Sequence, residues 1–222
     1  NNTLCEKKMD VSLYDGNLIF KGFIDKLWYS SDKSYVAIID YKTGKDKESL
    51  DNLIYGENLQ LPVYIYLLKN DSEFKHANLV GFYLQKINIV LPKKGDGSLE
   101  EQIQKNLRLE GYTHPDYVDY IDNNRGEYLK NYKENKDTSV SKSSKIFNDK
   151  DVEDLFELVS KKVDEAYNGI MNANFDITAK RIDGVNISCE YCPFVDCCYK
   201  TDKDIVELKG KKWKEEDENA NE

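Results

Sequence analysis

Residues 34–41 read Ser-Tyr-Val-Ala-Ile-Ile-Asp-Tyr, and the chain continues with Lys-Thr-Gly over 42–44. The run before the aspartate is continuously apolar, which is typical of a strand whose two faces are both covered. The Thr-Gly pair then interrupts the apolar pattern. We therefore expect a buried central strand over 34–41 that ends on an acidic and a basic side chain.

The segments around this strand supply its partners. Residues 9–15 and 18–29 alternate polar and apolar side chains about an Asp-Gly-Asn turn signal, which predicts a β-hairpin. Residues 57–68 predict a short helix, with Pro62 near its start, where a missing N–H is tolerated. Residues 78–90 predict another strand. This order of elements indicates an α/β fold with a mixed central β-sheet flanked by helices.

The second half of the chain is more polar. Residues 133–148 lack periodicity and predict a mobile loop. Residues 149–172 predict the clearest amphipathic helix in the chain. Its apolar side chains recur at three- and four-residue spacing: Val152, Leu155, Phe156, Val159, Val163, Tyr167 and Ile170. We expect a core domain over 1–178, a cysteine-rich segment over 179–202 and a charged tail over 203–222.

Composition excludes some classes of protein. The chain has 222 residues, 40% of them hydrophobic, which is enough for one domain with a core. A net charge of −9 argues against a simple non-specific nucleic-acid binder, but not against an enzyme that acts on nucleic acid. No run of about 18 apolar residues occurs, so we expect no membrane span. The first residues lack a Met and the pattern of a signal peptide, so we expect a piece of a longer, cytoplasmic protein.

Two aspartates and a lysine form the first candidate site. Asp25 lies late in the second hairpin strand, and Asp40 and Lys42 end the central strand. Residues two apart in a strand point to the same face, and a neighbouring strand can bring Asp25 beside them. Two converging carboxylates repel unless a cation lies between them, and such hard oxygen ligands suit Mg²⁺ or Mn²⁺.

The chemistry of these groups suits phosphodiester hydrolysis. A bound divalent ion activates water and neutralises charge on a phosphate, and an adjacent lysine can orient or deprotonate the water or stabilise the pentavalent state. The competing interpretation is an ordinary surface pair, because one Asp and one Lys at a strand end are most often that. Spacing alone leaves both interpretations open.

Three stretches, in their order and spacing, resemble the RecB-like branch of the PD-(D/E)XK nucleases. They are Gly-Phe-Ile-Asp over 22–25, Ile-Asp-Tyr-Lys-Thr-Gly over 39–44 and the segment 55–64, which contains Gln60 and Tyr64. The resemblance implies a restriction-endonuclease-like nuclease core and a metal-dependent deoxyribonuclease, with exonuclease action expected. Asp25 and Asp40 would bind Mg²⁺ or Mn²⁺ and Lys42 would be catalytic. Gln60 and Tyr64, four apart on one helix face, would contact DNA and support the site.

One element of the family pattern is absent from the sequence. RecB-like nucleases usually carry a histidine upstream of the first strand as a further metal ligand. The two histidines here, His76 and His114, both lie downstream, and we expect both at the surface.

The cysteines form a second candidate site. Four of five lie within ten residues, at 189, 192, 197 and 198, and the fifth is Cys5. An odd count with a Cys-x-x-Cys does not resemble a secreted disulfide framework and favours a reducing compartment. Four thiolates could hold zinc or an iron–sulfur cluster.

The spacing of Cys189, Cys192 and Cys198 is similar to that of the cluster-bearing nucleases of the RecB-like branch. Together with the stretches 55–61 and 106–111, it most resembles the C-terminal nuclease domain of the B subunits of AddAB-type ATP-dependent helicase–nucleases. That resemblance implies a [4Fe–4S] cluster in the intact protein, with a fourth ligand from far upstream rather than Cys5. It also implies DNA and the helicase–nuclease A subunit as partners, with a role in recombinational repair of double-strand breaks.

Two alternatives stay open. One is a single-domain RecB-like iron–sulfur nuclease of the type used in CRISPR adaptation, for which the stretch 99–148 is long. The other is a binding module that keeps the nuclease fold but not the activity. An intact Asp-Asp-Lys set speaks against the second alternative.

Overall fold

The structure is a computed structural model. It describes residues 2–44, 49–88, 97–190 and 192–214. The chain forms two compact units, the first made of residues 1–49 and 59–160 and the second of 50–58 and 161–222. The domain boundaries expected at 178 and 202 stay predictions.

A five-stranded mixed sheet is the centre of the first unit. Its strands are β1 (Asn2–Leu13), β2 (Leu18–Tyr29), β3 (Tyr35–Lys42), β4 (Asn78–Lys86) and β5 (Glu110–Thr113). Their spatial order follows the sequence, and of the four pairs of neighbouring strands only β3 and β4 run parallel. This confirms the predicted α/β class with a mixed sheet.

The predicted hairpin and central strand are both present. β1 and β2 pair antiparallel from Asn2↔Tyr29 to Leu13↔Leu18, so the hairpin starts earlier than the alternation at residue 9 indicated. β3 lies between β2 and β4, and its residues 36–40 are buried, as a continuous apolar run requires. Residues 89 and 90 of the predicted strand 78–90 lie outside the described residues.

Within the described residues, three α-helices accompany the sheet: α1 (Gln60–Asn70), α2 (Leu99–Leu107) and α3 (Asp149–Met171). α1 and α3 match the two predicted helices within three residues at each end. The sequence interpretation missed α2, although Ser98 and Glu101 form a capping box, a pattern that is visible in the sequence. The missed strand β5 has only four residues, too few for a period to show.

α1 packs closely on β2 because Gly22 has no side chain. A Cβ atom at Gly22 would lie 2.5 Å from Cδ1 of Leu67, which is fully buried in α1. On the same helix, Tyr66 contacts the ring of Phe20 from β2 and stacks on Phe156 from α3, with centroids 4.9 Å apart. The glycine of the Gly-Phe-Ile-Asp stretch therefore sets the distance between the sheet and the helix.

We expect Gly22→Ala to lower the free energy of unfolding by about 0.5–2 kcal/mol, because displacing the fully buried Leu67 methyl group costs more than the roughly 0.5–1 kcal/mol gained by replacing a glycine within a strand. Urea denaturation of the two proteins measures this difference. Gly169→Ala is the matched control, since a Cβ there meets only Asn174 O at 4.0 Å. Within α3 this control should be neutral or stabilising by up to about 1 kcal/mol. Equal stability of Gly22→Ala and the parent chain would contradict the packing argument.

The loop expected over 133–148 contains no helix or strand, but it is fixed at several points. Lys145 N donates to Asn131 O at 2.8 Å, and Ser141 N donates to Lys133 O at 2.9 Å. Phe147 is 2% exposed and packs against Phe82 of β4. Composition alone did not indicate these contacts, because Ser and Asn side chains stabilise turns as readily as they populate mobile segments.

One surface prediction was wrong. His76 is exposed, but His114 is only 3% exposed. Its Nδ1 accepts the backbone N–H of Asp116 at 3.3 Å, and its ring stacks on Tyr117 with centroids 4.3 Å apart. His114 thus caps the short 3-10 helix Pro115–Tyr120, a role that the pattern of neighbouring residues did not reveal.

The second unit has a small sheet of its own, made of β6 (Ala179–Ile182), β7 (Val185–Asn186) and β8 (Ile205–Leu208). Its spatial order is β7-β6-β8. β8 lies within the segment 203–222 expected as a charged tail, and further along that segment Lys211 exchanges backbone and side-chain hydrogen bonds with Asn52 at 2.8 and 2.9 Å. The acidic residues 215–218 lie outside the described residues. Among the helices that the structure describes, none has the length and apolarity to cross a membrane.

Candidate active site

The first unit brings all five sequence-predicted residues of the first site together. The β2–β3 register pairs Lys26 with Ile39, so Asp25 and Asp40 follow as the next opposed residues at this end of the two strands. Oδ2 of Asp25 accepts the backbone N–H of Tyr41 at 2.9 Å, which fixes the first carboxylate against β3. Asp25 is partly buried, and Asp40 is 1% exposed.

Asp40 is held by groups from its own strand and from α1. Its Oδ1 accepts the Nε2 amide of Gln60 at 2.7 Å, and its Oδ2 lies 2.8 Å from Nζ of Lys42. Lys42 also donates to Oε1 of Gln60 at 2.6 Å. One amide side chain at the first turn of α1 therefore orients both the carboxylate and the ammonium group.

Tyr64 completes this arrangement one helical turn later. Nε2 of Gln60 lies 3.0 Å from the Tyr64 hydroxyl, which confirms that residues four apart share one face of α1. The ring is buried, and burial raises the pKa of Tyr64, with the nearby Asp40 and Asp25 charges acting in the same direction. Tyr64 is therefore a neutral hydroxyl at physiological pH.

Burial raises the pKa of Asp40 above its usual range. The hydrogen bond and charge of Lys42 act in the opposite direction, and the neighbouring Asp25 carboxylate raises the pKa further. Two carboxylates close enough to repel, one of them buried, leave negative charge that a single lysine does not fully balance. This is the electrostatic condition under which a cation binds.

The donor set fits a hard divalent ion. Asp25 and Asp40 offer carboxylate oxygens, and Mg²⁺ is usually held by one or two carboxylates, with water and substrate phosphate as its other ligands. Over the described ranges no group of three or more His, Cys, Asp or Glu side chains is arranged to hold a metal ion. A two-carboxylate site that keeps water ligands is consistent with that finding.

The cysteines are placed differently. All five are free thiols, and Cys189, Cys192 and Cys198 are partly buried in the second unit. Within the part of the chain that the structure describes, they form no metal-binding group, and Tyr191 between them is outside that part. The iron–sulfur assignment therefore stays a prediction.

Two features of the site were not visible in the sequence. The first is the backbone N–H of Tyr41, which donates to Asp25. Every residue except proline carries such a group, so residue type does not identify it. The second is a set of lysines around Glu110 of β5, at the same end of the sheet. That glutamate lies on β5, whose four residues have no recognisable period in the sequence, and only the strand register brings it beside the site.

Comparison with known proteins agrees with this geometry. The family model of the PD-(D/E)XK nuclease superfamily matches residues 3–199. A relative from Carboxydothermus hydrogenoformans, named as the B subunit of an ATP-dependent helicase/deoxyribonuclease, is 30% identical over 196 residues, which are 80% of this chain. Relatives with the same name from Thermoanaerobacter sp. (strain X514) and Alkaliphilus metalliredigens are each 29% identical, over 82% and 85% of this chain.

The chain spans 17–18% of the length of these relatives. The family match, in contrast, covers nearly the whole chain and includes every residue of the carboxylate–lysine site. The mixed sheet, the opposed aspartates at a strand end and the lysine two residues later agree with it. This chain is a member of the PD-(D/E)XK nuclease superfamily.

Proposed function

We propose that this chain is a metal-dependent deoxyribonuclease domain that hydrolyses phosphodiester bonds of DNA. The observation that carries the proposal is the joint placement of Asp25, Asp40 and Lys42 at one strand end, with Gln60 bonded to both Asp40 and Lys42. The deoxyribonuclease name of the relatives supports DNA as the substrate.

Each residue has a role that its contacts support. Asp25 and Asp40 would hold a Mg²⁺ or Mn²⁺ ion, which when bound activates water and neutralises charge on the phosphate. Lys42 presents a positive donor beside these carboxylates, where it would orient the attacking water or stabilise negative charge on phosphate oxygens. Gln60 fixes the positions of Asp40 and Lys42, and Tyr64 supports Gln60.

The reaction is a hydrolysis. The water oxygen forms a bond to phosphorus, the bond from phosphorus to one ester oxygen breaks, and the leaving oxygen takes up a proton. The products are a phosphate monoester and a free hydroxyl group. Incubation of the purified chain with end-labelled DNA, in Mg²⁺ or in excess chelator, tests the proposal: cleavage in Mg²⁺ alone supports it, and intact DNA in both refutes it.

Binding of Mg²⁺ should also increase the stability of the folded chain. At a Mg²⁺ concentration about 100 times Kd, binding to the folded state adds about 2.7 kcal/mol, which raises the melting temperature by roughly 5–10 °C in a chain of this size. We expect this shift in the parent chain and its loss in Asp40→Asn, measured by thermal denaturation. Asp154→Asn, an exposed carboxylate of α3, is the control that should keep the shift. If Mg²⁺ raised the melting temperature of Asp40→Asn as much as that of the parent chain, the ion would bind at another site.

The relatives support a wider proposal for the whole protein. We propose that the chain is the nuclease domain of a helicase–nuclease B subunit, working with an A subunit on DNA ends in recombinational repair. Exonuclease action and a cytoplasmic location belong to the same proposal, and the odd number of cysteines with a Cys-x-x-Cys pattern favours a reducing compartment. Copurification of a helicase partner with the full-length protein supports this assignment, and its absence counts against it.

We also propose that Cys189, Cys192 and Cys198 are three ligands of a [4Fe–4S] cluster whose fourth ligand lies outside this chain. Their support is the Cys-x₂-Cys-x₅-Cys spacing and their free, partly buried thiols. Iron and sulfide assays on the anaerobically purified full-length protein test it. Four iron atoms per protein support the cluster, whereas stoichiometric zinc or no metal refutes it without affecting the nuclease assignment.

A further inference from the structure

Two lysines contact one buried carboxylate beside the candidate active site, and a third lysine lies over the ring of Tyr112 on the same strand. Glu110 of β5 is 5% exposed, and its Oε2 lies 2.6 Å from Nζ of Lys130 and 3.6 Å from Nζ of Lys86. Lys145 lies next to them, with its Nζ 5.1 Å from the ring centroid of Tyr112. The set Lys86, Lys130 and Lys145 is called the lysine track below.

The track carries a local excess of positive charge. Burial by itself raises the pKa of Glu110, but the hydrogen bond from Lys130 and the charges of Lys130, Lys86 and Lys145 outweigh it, and the pKa is lowered. Glu110 is therefore ionised at neutral pH, with the ammonium groups of Lys130 and Lys86 in contact with its carboxylate and the charge of Lys145 close enough to act on it. In a chain with a net charge of −9, this excess is a local feature and not a property of the whole surface.

The strand register places the track next to the carboxylates. Asp40 pairs with Leu84, and Leu84 pairs with Glu110, so these three side chains form one row across β3, β4 and β5. Lys42 pairs with Lys86 in the following row. At about 4.8 Å per strand, Glu110 lies on the order of 10 Å from Asp40 on the same face of the sheet.

We propose that the lysine track binds the phosphate backbone of the DNA strand immediately beside the phosphate that is cleaved, with Glu110 as a positioning residue. The proposal rests on the proposed nuclease function and extends it to the path of the substrate. Lysines held by a buried carboxylate lose less rotamer freedom on binding a phosphate than mobile surface lysines do. The step from Lys42 on β3 to Lys86 on β4 leads from the site of hydrolysis across the sheet toward β5.

The salt dependence of DNA binding tests this path. Binding of a fluorescent single-stranded oligonucleotide to the 222-residue chain is measured in chelator, so that no cleavage occurs, at several salt concentrations. Each lost phosphate contact should reduce the slope of log K against log salt by about 0.7. We therefore expect a reduction of about 1.4 for the double variant Lys86→Gln/Lys130→Gln. Lys130→Arg should keep the parental slope because it keeps the charge.

The control is Lys33→Gln/Lys162→Gln, which removes two lysines that each pair with one glutamate, Glu73 and Glu165. This control should keep the parental slope.

If Lys86→Gln/Lys130→Gln fails to fold, Lys130→Gln and Lys145→Gln, tested singly, should each reduce the slope by about 0.7. Parental slopes in all track variants, in a chain that cleaves DNA in Mg²⁺, overturn the track and leave the nuclease function standing. A chain that neither binds nor cleaves DNA refutes both.

Discussion

Asp40→Asn is expected to reduce Mg²⁺-dependent DNA cleavage by at least about a hundredfold, because a metal-binding carboxylate and its electrostatic partners act as a unit. Asparagine has nearly the same shape and keeps an oxygen that accepts the Gln60 amide, so the hydrogen bond at 2.7 Å can survive. The substitution removes the negative charge and puts an amide nitrogen in place of Oδ2, which lies 2.8 Å from Nζ of Lys42, while Lys42 keeps its hydrogen bond to Gln60. Cleavage rates of end-labelled DNA at saturating Mg²⁺ measure the effect.

The same variant should be more stable than the parent chain in the absence of metal. Burial raises the pKa of Asp40 in the folded chain above its value in the unfolded chain. At a pH between these two pKa values, the folded state binds more protons than the unfolded state. The free energy of unfolding therefore falls as pH rises through that window, and at higher pH the ionised carboxylate opposes folding. Thermal denaturation in chelator at neutral pH should show a higher melting temperature for Asp40→Asn.

This combination separates catalysis from folding. A variant that loses activity because it unfolds would melt below the parent chain, whereas Asp40→Asn should melt above it and still be inactive. Asp154→Asn provides the matched control, with parental activity expected. Cleavage by Asp40→Asn within about threefold of the parental rate would show that Asp40 is not a metal ligand, since loss of a ligand costs far more than that.

The sequence predicted the elements of this fold that have a clear period or composition. The apolar run before Asp40 predicted the central strand, and the three- and four-residue spacing over 149–172 predicted α3 almost to its ends. α2 and β5 were missed for different reasons. α2 had a capping box that was not used, whereas the four residues of β5 are too short to show an alternation.

The candidate site was predictable to the extent that its residues lie close together in sequence. Asp40 and Lys42 share a face because they are two apart in a strand, and Gln60 and Tyr64 share a face because they are four apart in a helix. Glu110 reaches the same row only through the β3–β4 and β4–β5 registers, which join residues 70 positions apart in the chain. Long-range register of this kind has no local signature, so the lysine track could not be predicted.

Lys42→Met is expected to lower the maximal rate of cleavage by at least about a hundredfold, which is the scale of losing one preorganised donor that stabilises charge in a transition state. Methionine keeps an apolar stem of similar length and removes the ammonium group that lies 2.8 Å from Asp40. Both carboxylates remain, so the stabilisation by Mg²⁺ that Asp40→Asn loses should persist in Lys42→Met at alkaline pH. This difference separates a metal ligand from a residue that acts on water or phosphate.

The pH dependence gives an independent check on the same residue. The hydrogen bond and charge of Lys42 lower the pKa of Asp40, so their removal should raise that pKa further. Mg²⁺ competes with protons for the carboxylate. As the pH is lowered, the stabilisation by Mg²⁺ should therefore begin to weaken at a higher pH in Lys42→Met than in the parent chain. Thermal denaturation in Mg²⁺ at about pH 6, 7 and 8 measures this shift.

Lys33→Met, which removes a lysine paired with Glu73 at the opposite end of β3, should keep the parental rate and pH profile. A Lys42→Met chain that cleaves DNA at the parental rate would assign Lys42 to the structure of the site and not to its chemistry.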